Sequence, residues 1–265
     1  AHGATEIKLG RRGVGFTATA EVMYRHCMHA RFTLKVLRVL YQFQANHTDE
    51  LYKLAARKSW EDIMNQDGSF TIDSTIYSDY FKHDQFATLR LKDAIVDRFR
   101  AKTGERPSVD RDNPDARIHL HISKQDVTIS LDACGEPLSR RGYRSRKAIA
   151  PLNEVLAAGL LALSGWEPGI TLYDPMCGSG TFTCEAALWA SGLPVQANRS
   201  HFAFMEWKNF NRTAWMTIRD EAMEFNEPIP TNIYASDINP DAMSQTKYAL
   251  SQLDLPSHDV VDPTK

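Results

Sequence analysis

The sequence predicts a multidomain chain, α+β in its front part and α/β in its back part. Three observations predict it. Residues 5–131 mix short strands and helices with antiparallel turn signals, whereas from residue 150 on helices and apolar strands alternate. The run Asp174-Pro175-Met176-Cys177-Gly178-Ser179-Gly180-Thr181 follows an apolar stretch ending Ile170-Thr171-Leu172-Tyr173 and leads into a helical run, Phe182 to Ser191. A strand that breaks at glycines and becomes a helix N-terminus is how α/β proteins hold nucleotide-like ligands. A length of 265 residues with 43% hydrophobic content suffices for two cores.

The front part begins with a strand, Glu6 to Leu9, a Gly10-to-Gly13 turn, and a second strand, Val14 to Thr17. A helix from Ala20 to His29 and a strand from Thr33 to Gln42 follow. Thr48 is the expected N-cap of a helix running to Ala56. Trp60-Glu61-Asp62-Ile63 leads to a strand over Ser69 to Tyr77. Gln85 to Thr103 reads as a long amphipathic helix with Phe86, Leu89, Ala94, Ile95 and Phe99 on its apolar face, stopped by Gly104. Arg117 to Ser123 alternates Ile118, Leu120 and Ile122 on one face and pairs with Val127 to Leu131 across a short turn.

Between the parts, Arg140, Arg141, Arg144, Arg146 and Lys147 crowd around Gly142 and Tyr143. Such a stretch makes a poor core element and a good linker; its arginines suit phosphates and Tyr143 suits stacking on a base. The plainer alternative is a solvated hinge. The back part opens with a helix from Pro151 to Leu163, proline in its first turn. After the glycine loop and its helix come an irregular stretch (Pro194 to Phe210), a helix (Thr213 to Glu224), a strand (Asn232 to Ser236) ending in Asp237-Ile238-Asn239-Pro240, and a helix from Asp241 to Gln252.

The glycine loop has a distinctive chemistry. Phosphate cradles carry a Lys after the last glycine; here Thr181 stands in that place. A carboxylate, Asp174, with no Lys suits the ammonium of S-adenosylmethionine better than ATP. An acid ending the next strand, Asp237, suits ribose hydroxyls. It comes about 60 residues on rather than the usual ~20, so the helices between read as an insertion. Trp207 and Phe210 read as packing of that insertion.

Residues 1–150 hold 25 Lys and Arg against 19 Asp and Glu, and residues 151–265 hold 6 against 14. A basic front and an acidic back suggest that the front meets a polyanion. Cys27, Cys134, Cys177 and Cys184 show neither metal nor redox spacing, which points to free thiols in a reducing cytoplasm. His26, His29, His119 and His121 form no coherent metal set, and surface or RNA contact is the expectation for them. No run of 18 apolar residues exists to make a transmembrane helix.

The glycine loop, the block Arg140-Arg141-Gly142-Tyr143-Arg144 with Ala150-Pro151-Leu152-Asn153-Glu154, and Asp237-Ile238-Asn239-Pro240 together resemble the THUMP-containing 23S rRNA guanine-N2 methyltransferases. These bacterial enzymes are often labelled predicted N6-adenine-specific DNA methylases. Phe202-Ala203-Phe204 and Trp207 fit the same pattern, and the likeness spans essentially the whole chain. It implies a partial ferredoxin-like segment at 1–44, a THUMP RNA-binding domain at 45–140, a basic linker at 141–149 and the first half of a Rossmann-like class I methyltransferase domain at 150–265. S-adenosyl-L-methionine is the implied cofactor, held by Asp174, Pro175, Met176, Cys177, Gly178, Ser179, Gly180 and Thr181 around its methionine part. Asp237 takes its ribose, with Ile238 and Asn239 beside it, and Pro151, Leu152 and Asn153 approach from the preceding helix. Arg140, Arg141, Tyr143, Arg144, Arg146 and Lys147 are the expected RNA contacts, with 23S rRNA, deproteinised or pre-ribosomal, as the implied partner and no metal.

The family's first strand and helix are expected before Ala1, and its Asn-Pro-Pro-Tyr motif, which would bind the acceptor amine, does not occur up to Lys265. The chain is therefore expected to be incomplete at both ends and to carry no catalytic residue of the acceptor side. Two alternatives stand beside rRNA methylation: a DNA adenine-N6 methyltransferase, and a non-catalytic RNA-binding protein.

Overall fold

The computed structural model describes residues 3–10, 12–144, 151–224, 228–253, 255 and 261–262. They fall into two compact units, each built from more than one stretch of chain. One comprises residues 1–34, 137–200 and 212–265; the other comprises 35–136 and 201–211.

The first unit opens with an exposed antiparallel hairpin, β1 (Thr5–Leu9) and β2 (Val14–Thr17). Helix α1 (Ala20–His29) follows, capped by the Thr19 hydroxyl, which accepts from the Val22 N–H. Met23, Tyr24, Cys27 and Met28 are its buried residues, and Tyr24 meets Trp215 edge-on.

The second unit is built around a five-stranded sheet. Strand β3 (Leu37–Gln44) starts four residues later than the expected Thr33, because residues 33–36 are irregular. It pairs into this sheet, so the strand expected in the 1–44 segment joins the residues that follow it. Helix α2 (Thr48–Ala56) has the expected span but not the expected cap: His47 Nδ1, rather than Thr48, accepts the Glu50 N–H. The Glu50 carboxylate reaches back past that cap to accept the Asn46 N–H at 2.8 Å. A 3-10 turn at Trp60–Asp62 leads to β4 (Ser69–Tyr77).

Helix α3 (Asp84–Thr103) stops at Gly104, which is left-handed as a C-cap should be. Its buried face is Ala87, Leu91, Ala94, Ile95, Val96 and Phe99. Phe86 and Leu89, expected on that face, are about half exposed. A two-residue strand β5 (Ser108–Val109) precedes β6 (Ala116–Ser123) and β7 (Asp126–Asp132). The sheet order is β3-β7-β6-β4-β5, with β4 parallel to both β6 and β5 and the other pairs antiparallel. Ile118, Leu120 and Ile122 face the core as their alternation predicts, leaving His119 and His121 on the opposite face.

Residues 201–211, read from sequence as part of the α/β domain, belong to this second unit. Phe202 and Phe204 are fully buried and stacked, and the N–H groups of Ala203 and Phe204 donate to the carbonyls of Cys134 and Ala133. Trp207 is also buried, and Phe210 packs on Phe204.

The first unit resumes with α4 (Glu154–Leu163). Asn153 is its N-cap, so Pro151 lies ahead of the helix rather than in its first turn. Then come β8 (Leu172–Asp174), α5 (Thr181–Ala190), α6 (Arg212–Glu224), β9 (Ile233–Ala235) and α7 (Pro240–Ser251). A strand the sequence reading did not foresee, β10 (Val261–Asp262), completes a parallel sheet of order β10-β9-β8. Helix α5 is buried nearly all round, and its small residues Cys184, Ala186, Ala187 and Ala190 let it sit close to the sheet.

Candidate cofactor site

The glycine loop lies beyond the carboxyl ends of two adjacent parallel strands, β8 and β9, the edge at which open α/β sheets bind ligands. Three chain segments build it. Strand β8 delivers Asp174, half-buried at its last position. One of its carboxylate oxygens accepts from the Thr183 hydroxyl at 3.3 Å, and its backbone carbonyl accepts from the Ser236 N–H at 2.9 Å. Burial raises its pKa above the ordinary Asp value, against the bonds from Thr183 and the Met176 N–H, while the charge of Asp237 raises it further.

The loop turns through Gly178 (φ +56°) and Gly180 (φ +77°) into α5. At Gly180 a Cβ would lie 2.7 Å from the Thr246 methyl, so glycine is required twice over, by conformation and by space. At Gly178 a Cβ would meet nothing within 4 Å, so the loop keeps an open side there.

The peptide of Gly178 is held from both ends. Its N–H donates to Asp237 Oδ2 at 2.9 Å, and its carbonyl accepts from Thr246 Oγ1 at 3.0 Å. Asp237 Oδ1 also accepts the Asn239 N–H at 2.8 Å, and these two amides hold its pKa below the ordinary value. A carboxylate has about four lone-pair sites, so Asp237 keeps capacity for hydroxyl donors. Beside it Ile238 is fully exposed, as is most of Met176. Asn239 caps α7 through Asp241.

Pro175 is exposed, Ser179 partly buried and Cys177 nearly buried, with its thiol near Thr246 and Met243. Burial raises the Cys177 pKa, and all four cysteines are buried and outside any disulfide. Pro151 and Leu152 are partly buried and Asn153 exposed, the Asn153 side chain being committed to Leu156. These residues fit S-adenosylmethionine: a half-buried acid for an ammonium, an ionised acid for hydroxyls, an exposed aliphatic side chain for a ring face, and an open glycine between them. Among the described residues no cluster of His, Cys, Asp and Glu could hold a metal ion, and no helix is long and apolar enough to cross a membrane.

The expected RNA-contact set is where structure and sequence part. Arg146 and Lys147 lie outside the described residues. Arg140 is exposed. Arg141 and Tyr143, however, are buried. Arg141 donates to the carbonyls of Leu138 and Arg31, each at 2.7 Å, and both it and the Tyr143 hydroxyl point at Glu185 Oε1 on α5, at 3.4 and 3.1 Å. Arg144 donates to the Leu152 carbonyl at 2.6 Å and Thr181 Oγ1 at 3.2 Å. Apolar helix α5 buries an acid, and a buried charge needs cations and donors; the arginine block supplies them. Sequence reading left Glu185 unassigned and missed Thr246 and Thr183, whose partners are set by tertiary approach.

Comparisons with known proteins agree with this architecture. Residues 45–132 match the THUMP domain, and residues 141–258 match the family described as RMKL-like, methyltransferase domain. The chain is 39% identical over 229 residues to the ribosomal RNA large subunit methyltransferase K/L of Syntrophotalea carbinolica, covering 85% of this chain and 32% of that protein. The chain thus spans about a third of the length of the curated relatives it matches. A crystal structure from Listeria monocytogenes, described as a predicted N6-adenine-specific DNA methylase, superposes with a TM-score of 0.88 at 27% identity, over 99% of this chain and 69% of that one. SMU.472, a putative methyltransferase complexed with SAH, shares the fold with a TM-score of 0.85 at 24% identity, over 98% of this chain and 69% of that one. In order along the chain, a THUMP match is followed by a match to an RMKL-like methyltransferase domain, the two-part make-up expected of the THUMP-containing methyltransferases.

Proposed function

We propose that the protein transfers a methyl group from S-adenosylmethionine to the exocyclic N2 of a guanine in 23S rRNA. The observation that carries this reading is the loop itself: two carboxylates, Asp174 and Asp237, at adjacent strand ends around a glycine turn with no Lys or Arg in it. The names of the ribosomal RNA methyltransferase relatives and the THUMP match direct the reading to RNA. SAH in a protein of the same fold fits the cofactor.

Bound S-adenosylmethionine would supply an electrophilic methyl on its sulfonium. Asp174 takes the ammonium of its amino-acid end, and Asp237 takes the ribose hydroxyls. Ile238 offers an apolar face to the adenine. The glycine loop, gripped by Asp237 and Thr246, keeps these groups at fixed spacing, and fixed spacing is the form of catalysis that a pre-built cradle contributes. A guanine N2 is hidden when paired, so the acceptor is a flipped or single-stranded base. The basic balance of residues 1–150 suits phosphate contacts with the RNA.

The test is transfer of tritiated methyl by the intact protein to deproteinised 23S rRNA and to duplex DNA. Label in the rRNA, recovered as N2-methylguanine after nuclease digestion, is the expected result. Label on DNA alone would support the adenine-N6 alternative and overturn this one.

A further inference from the structure

Arg144 sits in the block that sequence assigns to RNA, but its guanidinium turns inward. Its Nη2 lies 2.6 Å from the Leu152 carbonyl oxygen, 3.2 Å from Thr181 Oγ1 and 3.1 Å from Glu154 Oε1. These acceptors belong to the segment before α4, to the first residue of α5 and to the first residue of α4. Thr181 is buried and follows Gly180 directly, so its hydroxyl marks the point where the glycine loop becomes helix. Burial of Glu154 raises its pKa, with the Arg144 charge acting in the opposite sense. Among the described residues no acceptor meets the buried Arg144 Nε. Burying such groups is costly, and a cation meant only for phosphates would be left in solvent. Further along α5, Arg141 and Tyr143 grip Glu185.

We propose that Arg144 is a positioning residue for the cofactor cradle: by bridging the Leu152 carbonyl and the Thr181 hydroxyl, it sets the spacing between residues 151–153 and the glycine loop. This rests on the methyltransferase reading, in which both segments hold the cofactor. Arg144 acts through the backbone it ties together and leaves direct contact with the ligand to the loop. A lysine keeps the charge toward Glu154, but its side chain is one bond shorter, so its nitrogen falls short of the place where Nη2 meets all three acceptors.

The experiment is calorimetric titration of the intact protein with S-adenosylmethionine and with its decarboxylated analogue, for wild type, Arg144→Lys, Arg144→Met, Thr181→Val and the Arg144→Met/Thr181→Val pair. Circular dichroism fixes a temperature at which each protein is folded. Each single substitution is expected to raise the dissociation constant about tenfold for both ligands, the size of one lost hydrogen bond. The pair is expected to bind little worse than either parent, since the two changes break the same bridge. Wild-type affinity in folded Arg144→Met and Arg144→Lys overturns the proposal, as do fully additive losses. A loss confined to the carboxylate-bearing ligand also overturns it, because that is direct pairing. A wild type that binds neither ligand removes the methyltransferase reading and this inference with it; wild-type binding with unaltered variants removes this inference alone.

Discussion

Glu185 is an acid in the middle of a buried helix, and its surroundings explain an arginine block that looked like an RNA contact. Arg141 and Tyr143 reach Oε1, and Arg31 Nη1 stands 4.0 Å from Oε2 while Arg31 also bonds the carbonyls of Glu185 and Leu188. Burial lowers the Arg31 pKa to about 10, with Glu185 opposing that fall. Replacing Glu185 with Ala leaves buried Arg141 and part-buried Arg31 without their counter-charge and is expected to destabilise the protein by about 3–5 kcal/mol. Tyr143→Phe removes one buried donor and is expected to cost about 1 kcal/mol. Urea denaturation monitored by circular dichroism measures both; a Glu185→Ala protein as stable as wild type contradicts the burial role. None of this was legible in the linear sequence, because Arg31 and Glu185 lie 154 positions apart and an arginine-rich stretch reads the same whether it faces solvent or a buried acid. Asp174 was legible, since a strand end before two glycines fixes its place. Its raised pKa has a consequence for binding. Only the ionised form attracts an ammonium, so affinity for S-adenosylmethionine should hold above that pKa and fall on acidification, starting at a higher pH than for an ordinary Asp. Titration calorimetry across pH 4 to 8 should show that fall in wild type and its loss in a weaker-binding Asp174→Asn.

Among the elements, α3 shows most clearly what periodicity can and cannot fix. Its existence, length and Gly104 stop follow from the sequence, and Ala94, Ile95 and Phe99 are buried as expected, but in its first half the buried positions differ. Ala87 and Leu91 lie inward and Phe86 and Leu89 outward, because small Ala87 permits close packing while the larger side chains keep about half their surface in water. Leu91→Ala should therefore cost about 2–5 kcal/mol, as fully buried leucines do. Phe86→Ala should change stability by less than ~1 kcal/mol, as exposed substitutions do. Equal losses for the two, measured by urea denaturation, would restore the face read from sequence. Strands β5 and β10 escaped notice for a different reason: two residues carry no alternation, and their pairing depends on the neighbouring strand. The cap of α2 was misplaced by one residue because His47 and Thr48 both offer an acceptor, and only backbone geometry separates them.

In the whole molecule, both units are discontinuous in sequence, and this is the feature that linear reading resolves least. Residues 201–211 leave the glycine-loop unit because Phe202 and Phe204 find burial, and backbone partners at Ala133 and Cys134, in the five-stranded unit. Residues 3–34 join the glycine-loop unit by a similar route, through α1 and α6, where Arg25 pairs with Glu221 at 2.6 Å. The cofactor cradle, by contrast, is made from local signals: a glycine turn at one strand end and an acid at the next. That is why the loop residues and Asp237 stand out in the sequence, whereas Thr246 and the inward-turned Arg144 do not. The cradle also gives the most direct test. Calorimetric titration of the intact protein with S-adenosylmethionine should show one-site binding, weakened at least tenfold by Asp237→Ala, which removes both the hydroxyl acceptor and the anchor of the Gly178 amide. Wild-type affinity in a folded Asp237→Ala protein, or no binding by wild type, would contradict the assignment of this loop to the cofactor.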